Sequence, residues 1–402
     1  MLPLCLLLLW AGQTSFETLF RSGLAALQDN QVATAQAQLE AASKLKPDNP
    51  HVWLALAHTY HKLDKAAAAE SAIGKAASLA GNDPTVLKGL ALFYSETGQY
   101  EQAAEFSERL ARLAPQDAGA MARAAELYLK ARRPEPAIDL ANRALQIEDR
   151  ADLRALLATA YEIAQRPNQA AEQMERAIHL NRYEEDYYSR AARDYLLAGK
   201  APETVRVVES GKKIFARSAQ LELILGIAYY ALERYAEALD TFLNAIAIDP
   251  TVEQPYLFIA RTMDHTPSRL PQILAAFKAL AGHDPDNYRS NYLYGKALLM
   301  SGDDDNKAEA LLRKSISLKG DSWESRLELA KALGQKADLE GARLELRRAI
   351  ELNPKSAEAH FRLGRVYDRM GQPDDAKKEY AIQTQLIDAE ESAPRHSGTL
   401  KP

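Results

Sequence analysis

A small residue, glycine or alanine, returns at a nearly fixed interval along the chain: Gly23, Ala57, Ala91, Ala125, Ala158, Ala192, Gly226, Ala260, Gly295, Ala330 and Gly364. Successive steps are 34 residues, with departures of one residue either way. A second series keeps phase with it: Ala35, Ala69, Ala103, Ala137, Ala170, Ala238, Ala308, Ala342 and Ala376. Its two gaps fall at Thr204 and Ile273. Two small residues at fixed phase in a period of this length specify a repeated pair of helices that stacks on its neighbours. A small side chain lets two helix backbones approach closely, and a large one there overpacks the contact. The period also overrides what length alone implies. A globular chain of 402 residues would form two or three domains, whereas a stack of repeats is one continuous body.

The clearest unit runs from Ala219 to Val252. It holds Leu225, Gly226 and Tyr229, then Tyr235, then Ala238 and Phe242, then Ala245 and Pro250. Trp53, Leu56, Ala57 and Tyr60 repeat its first half. So do Leu90, Ala91 and Tyr94, and again Leu363, Gly364 and Tyr367. Apolar residues recur at helical spacing in both halves, as in Trp53, Leu56, Tyr60 and Leu63. A turn often marked by glycine separates the halves (Gly98, Gly199, Gly302, Gly371). Pro47, Pro84, Pro115, Pro250, Pro285 or Pro354 is expected to stop the second helix. This pattern resembles the tetratricopeptide repeat. The resemblance implies an all-α solenoid, a right-handed superhelix of antiparallel helix pairs, with about eleven units. These lie near 16–49, 50–83, 84–117, 118–150, 151–184, 185–218, 219–252, 253–287, 288–322, 323–356 and 357–390. Arg182 and Ala216 stand where a closing proline is due, so the helices there are expected to join more continuously. The unit from Glu253 is broken by the run from His265 to Pro271 and is the expected place for a change in the stack. Gln383 and Gln385 make the last second helix polar, as suits a unit with no neighbour beyond it.

The two ends read differently. Leu2 to Ala11 is apolar and shorter than the roughly 20 residues needed to span a bilayer. It reads as the core of a secretory signal occupying 1–15. Export to the periplasm or cell envelope is the expectation. The missing Lys or Arg before that run keeps a second reading open, a capping segment on a cytoplasmic protein with a misread start. No further apolar run has membrane length. Residues 391–402 read as a disordered tail, with two prolines, a glycine and few apolar side chains after Ser392.

Composition excludes several classes. A net charge of −5 leaves no basic footprint for nucleic acid. Cys5 is the only cysteine, so the repeats hold no thiol nucleophile, disulfide or cysteine metal site. No phosphate loop, paired-histidine zinc helix or nucleophile elbow is present, and the repeats occupy the length a catalytic domain would need. No cofactor is expected. His51, His58 and His61 share one helix, but their spacing does not bring three nitrogens to one metal ion. Asp303, Asp304 and Asp305 lack the later residues of a calcium loop and read as a solvated turn. Tyr183, Tyr187, Tyr188 and Tyr195 read mainly as packing between repeats.

In the family the first helices line the concave face, where peptides commonly lie. The residue after each small one falls there by this resemblance: Leu24, His58, Leu92, Glu126, Thr159, Arg193, Ile227, Arg261, Lys296, Lys331 and Arg365. From Arg193 onward five of six are cationic, and Arg190 and Arg362 lie on the same helices. The expected ligand is a protein or peptide with an acidic segment or a chain end, gripped through arginine's two-point hydrogen bonding. Neutralisation along the helix is the alternative, through Arg261 with Asp264, Lys331 with Glu328 and Arg365 with Asp368. The family's chaperone-tail clamp needs asparagines that these positions lack. The reading is therefore a non-enzymatic interaction scaffold, with an accessory subunit of an envelope enzyme or secretion assembly as the alternative.

Overall fold

The computed structural model describes residues 15–392. The leader and tail readings lie outside them, except for Ser15, which caps the first helix, and residues 391 and 392, which end the last. Among the described residues there are 22 α-helices, two short 3-10 turns and no strand. None of these helices is long and apolar enough to cross a membrane.

The described residues divide into two compact units, 15–187 and 188–392. The first holds α1 (Phe16–Gln28), α2 (Val32–Leu45), α3 (Pro50–Lys62), α4 (Ala66–Leu79), α5 (Pro84–Glu96), α6 (Tyr100–Leu113), α7 (Ala118–Lys130), α8 (Pro134–Ile147), α9 (Ala151–Ile163) and α10 (Pro167–Leu180). The second holds most of α11 (Glu185–Leu197). It continues with α12 (Ala201–Lys212), α13 (Ala219–Ala231), α14 (Tyr235–Ile248), α15 (Gln254–Thr262), α16 (Leu270–His283), α17 (Tyr288–Ser301), α18 (Asp305–Leu318), α19 (Trp323–Gln335), α20 (Leu339–Leu352), α21 (Ala357–Arg369) and α22 (Pro373–Ser392). Odd helices are the first of each pair and even helices the second.

The small residues do what the period requires. Every member of the second series is buried, and Thr204 and Ile273 are buried in its gaps. Thr204 sits on α12 and donates its hydroxyl to the Ala192 carbonyl of α11 at 3.1 Å, so a polar side chain there is satisfied. In the first series the glycines face large partners. A Cβ at Gly226 would lie 2.4 Å from the Phe242 ring, and one at Gly364 would lie 2.6 Å from the Tyr380 ring. At Gly23 it would meet Leu39 at 2.7 Å, and at Gly295 Leu312 at 2.9 Å. These distances are shorter than real Cβ contacts, so the absent side chain is what lets the two helices of a pair close.

The turn within each pair is equally periodic. The seventh residue after each small one has a positive φ: Asn30, Asp64, Gly98, Arg132, Gln165, Gly199, Glu233, Gly302, Ala337 and Gly371, all between 55° and 76°. The exception is Pro267, whose ring forbids that conformation. There α15 ends early at Thr262 and two 3-10 turns, Met263–His265 and Pro267–Arg269, carry the chain into α16. A left-handed residue with a side chain costs about 1–2 kcal/mol, against roughly 0.5–1 kcal/mol of extra chain entropy for glycine. Ala337→Gly is therefore expected to stabilise the α19–α20 pair by about 0.5–1 kcal/mol, read as slower hydrogen exchange in those helices.

Side-chain caps start many first helices. Asn49, Asp83, Asp117, Ser218, Asn287, Ser322 and Ser356 each accept from a backbone N–H in the first turn. Asp304, from the acidic triplet, caps α18 by accepting from the Lys307 N–H at 2.9 Å. Two expectations are corrected. Pro84 does not close a helix but opens α5 behind the Asp83 cap, where its missing N–H is harmless. The helices near Arg182 and Ala216 do not run on: α10 stops at Leu180 and α12 at Lys212. Asn181 breaks the first by folding its side chain back to accept the Tyr183 N–H. Beyond Ala376, α22 has no buried residue up to Ala389, as expected of a polar last helix.

Candidate ligand-binding face

The residue after each small one is the start of the site. None of the eleven is buried. One step along the helix from the small position, Leu92, Glu126, Arg193, Arg261 and Arg365 are exposed and the other six are half-buried, Leu24 and Ile227 packing against the core. Seven of the eight candidate residues belong to the second unit: Arg190, Arg193, Arg261, Lys296, Lys331, Arg362 and Arg365. Arg190 is half-buried on α11. His58 lies in the other unit. Its ring meets Phe93 edge-on at 5.2 Å between centroids, and burial holds the imidazole below its ordinary range against the pull of Glu96. His61 meets the same ring at 5.8 Å, while His51 turns away to Asp83 at 3.0 Å.

Two cavities gather five of the candidates. One, of about 380 Å³, is lined by Arg261 and Lys296 together with Tyr292, Tyr288, Arg289 and Lys319. The other, of about 270 Å³, is lined by Lys331, Arg362, Arg365 and Arg369, with Leu346 and Val366 as apolar wall. No carboxylate lines the second cavity. Arg190 and Arg193 lie outside both.

The ion pairs that would neutralise the stripe form at one place of three. Arg261 lies over the Phe258 ring at 5.4 Å rather than against Asp264. Arg365 lies 6.0 Å from the Phe361 ring centroid, and Asp368 accepts instead from the Tyr380 hydroxyl at 2.7 Å. Lys331 does approach Glu328, at 3.9 Å, beyond hydrogen-bond reach. Arg362 is held by Glu358 at 2.6 Å and 2.9 Å. Arg369 donates to the Gly334 carbonyl at 2.9 Å, near the end of α19. A cation over an aromatic ring keeps its charge available, so the second cavity retains a net positive lining.

Glu328 is the group that sequence reading underrated. It occupies the register of Arg190 and Arg362, two residues before the small one, yet it is buried, with 7% of its surface exposed. Its Oε2 has no hydrogen-bond partner. Burial pushes its carboxyl above the usual range, and Lys331, Lys296 and Arg362 pull it back only in part. Tyr292 stands near it on α17 and is held as the neutral phenol by burial first and by the Glu328 charge next. A raised carboxyl destabilises the fold once ionised. That cost is absent at pH below the ordinary carboxylate range and grows as pH rises through and above it. Glu328→Gln is thus expected to stabilise the protein by about 1–3 kcal/mol at neutral pH, the cost of an orphaned buried polar group. The gain should vanish in acid, as read from thermal melts across pH.

The relation to known proteins follows the same geometry. Residues 26–93, residues 89–117, 223–252 and 324–356, and residues 345–378 match three family models, each described as tetratricopeptide repeat. The chain is a tetratricopeptide repeat protein. No curated protein sequence matches it. Among solved structures it is similar to that of Naa15/Naa10 bound to HypK-THB, at 14% identity and a TM-score of 0.51. That match covers 92% of this chain and 63% of the other, so the chain spans less than two thirds of its neighbour's length. Yeast Tom70 matches at 16% identity over 92% of each chain, with a TM-score of 0.40. The Cut9–Hcn1 assembly of APC/C matches at 16% identity over 93% of this chain and 87% of the other, with a TM-score of 0.41. At these identities the likeness concerns the fold alone. As a tetratricopeptide repeat protein the chain is built as an interaction scaffold.

Proposed function

We propose that this tetratricopeptide repeat protein is a non-enzymatic scaffold whose second unit binds an acidic protein segment or chain end along its first helices. The observation that carries this reading is the cavity lined by Lys331, Arg362, Arg365 and Arg369 with no carboxylate among its lining residues. Glu358 offsets Arg362 and Glu328 approaches Lys331, but no ion pair among the described residues offsets Arg365 or Arg369, and a ligand carboxylate or acidic side chain meets that charge. Arginine offers a planar two-point grip on such a group. The apolar wall of Leu346 and Val366 would take an aliphatic stem beside it. The direct test is fluorescence anisotropy with a labelled deca-glutamate peptide and a matched deca-lysine peptide. Binding of the first alone, weakening with added salt as exposed charges are screened, is expected. Equal binding of both, or of neither, contradicts the reading.

Export to the periplasm or cell envelope is part of the same proposal and is supported by the apolar run from Leu2 to Ala11. A carboxy-terminal fusion to a reporter active only in the periplasm tests it. Activity supports export, and an inactive reporter favours the cytoplasmic scaffold. Fixed-stoichiometry recovery of one enzyme from envelope extracts would instead favour the accessory-subunit reading.

A further inference from the structure

Glu328 is anomalous for a side chain with only a structural task. A buried carboxylate normally has a cation or an N–H within hydrogen-bond reach, because leaving it bare costs the fold more than the pair returns. Glu222, also buried, has an unpartnered Oε2 as well, but its Oε1 is held by Lys212 at 2.8 Å. Glu328 lacks that hold, since its nearest cation, Lys331, stands at 3.9 Å and its Oε2 is orphaned. Cations of both cavities act on it electrostatically: Lys331 on α19 most, then Lys296 on α17 and Arg362 on α21. The remaining charged or titratable neighbours are Tyr292 from α17 and Glu358 from α21, the latter already committed to Arg362.

We propose that Glu328 is a built-in counter-ion to Lys331, which an acidic ligand displaces and which then takes up a proton from the solvent. The inference rests on the acidic-ligand reading above and adds to it. The physical argument is an exchange of anions. The nearest support for a charge on Glu328 is Lys331 at 3.9 Å, with Lys296 and Arg362 acting on it from farther off. A ligand carboxylate that engages Lys331 and Arg362 cancels that support, and a buried carboxylate without support is most stable as the neutral acid. One proton moves from buffer to the carboxylate, no bond to carbon changes, and the ligand stays ionised. Ligand binding and proton binding then favour each other, so affinity rises as pH falls toward the ordinary carboxylate range. This sign is opposite to that of simple titration of the ligand's own carboxylates, which lose charge in acid.

Calorimetric titration of the full chain with an acetylated, amidated deca-glutamate peptide tests this near neutral pH. It is run in two buffers of different ionisation enthalpy. Wild type is expected to show a heat that depends on the buffer and corresponds to net proton uptake. Glu328→Gln is expected to bind about tenfold tighter or more, because the competing charge is gone, with a buffer-independent heat. Glu328→Asp, which keeps the charge, should retain the uptake. Binding by wild type with no buffer dependence, or unchanged affinity in Glu328→Gln, overturns the counter-ion role and leaves acidic-ligand binding standing. Absence of binding by wild type and by Glu328→Gln alike overturns both. Binding by Glu328→Gln alone supports the role, with the internal anion outcompeting the peptide.

Discussion

Phe242→Ala is expected to loosen the α13–α14 pair by about 3–5 kcal/mol, the usual loss for a phenylalanine deleted from a packed core. Phe242 is fully buried and stacks on Phe258 at 5.2 Å. Its ring also fills the space left by Gly226, where an added Cβ would sit 2.4 Å from Cε1 and 2.6 Å from Cδ1. Gly226→Ala should cost about 1–3 kcal/mol by overpacking. The double substitution should cost less than the sum, because the ring no longer blocks the added methyl and only Thr241 Oγ1, at 2.8 Å, must give way. Hydrogen exchange of the α13–α15 amides reads each opening free energy locally, which suits a chain of two units better than one global transition. Additive effects would mean that Gly226 and Phe242 are not a complementary pair and that the small-residue period has another cause.

Reversing the charge of the second cavity should have the largest effect on binding. Arg362→Glu with Arg365→Glu turns two attractions into two repulsions beside Lys331 and Arg369, and like charges brought together cost several kcal/mol. Acidic-peptide binding is expected to weaken at least about a hundredfold. A matched pair outside both cavities, Arg347→Glu with Arg348→Glu on α20, should change it far less. Both double variants should keep the helical content of wild type, since the four side chains are exposed or half-buried. Equal weakening by the two pairs would reduce the effect to net charge.

Much of the fold was legible because the repeat forces it. The second small series was read with gaps at Thr204 and Ile273, and the structure buries those two residues in the same register. The glycines of the turns, Gly98, Gly199, Gly302 and Gly371, all have positive φ. Asn30, Asp64, Arg132, Gln165, Glu233 and Ala337 share that conformation without being glycine, so composition alone hid six of the ten turn residues. Pro84 misled because a proline between helices can end one or begin the next, and only the Asp83 cap decides. The break after Leu180 needed no proline because Asn181 supplied a side-chain acceptor.

The candidate face was legible in register and not in pairing. The stripe positions were found from one offset, but whether Arg261 reaches Asp264 depends on rotamers that spacing does not fix. Arg369, four residues after Arg365 and so on the same side of α21, was within reach of helical spacing and was missed. Glu328 was seen only as a partner for Lys331. Its burial is a tertiary effect that no local pattern carries.

The central claim is that ligands meet the first helices of the second unit. A deca-glutamate peptide carrying one photoreactive group, crosslinked to the full chain and mapped by mass spectrometry, tests it most directly. Crosslinks are expected on α15, α17, α19 and α21, concentrated near Lys296, Lys331, Arg362 and Arg365. Crosslinks confined to the second helices, or to the first unit, would contradict it.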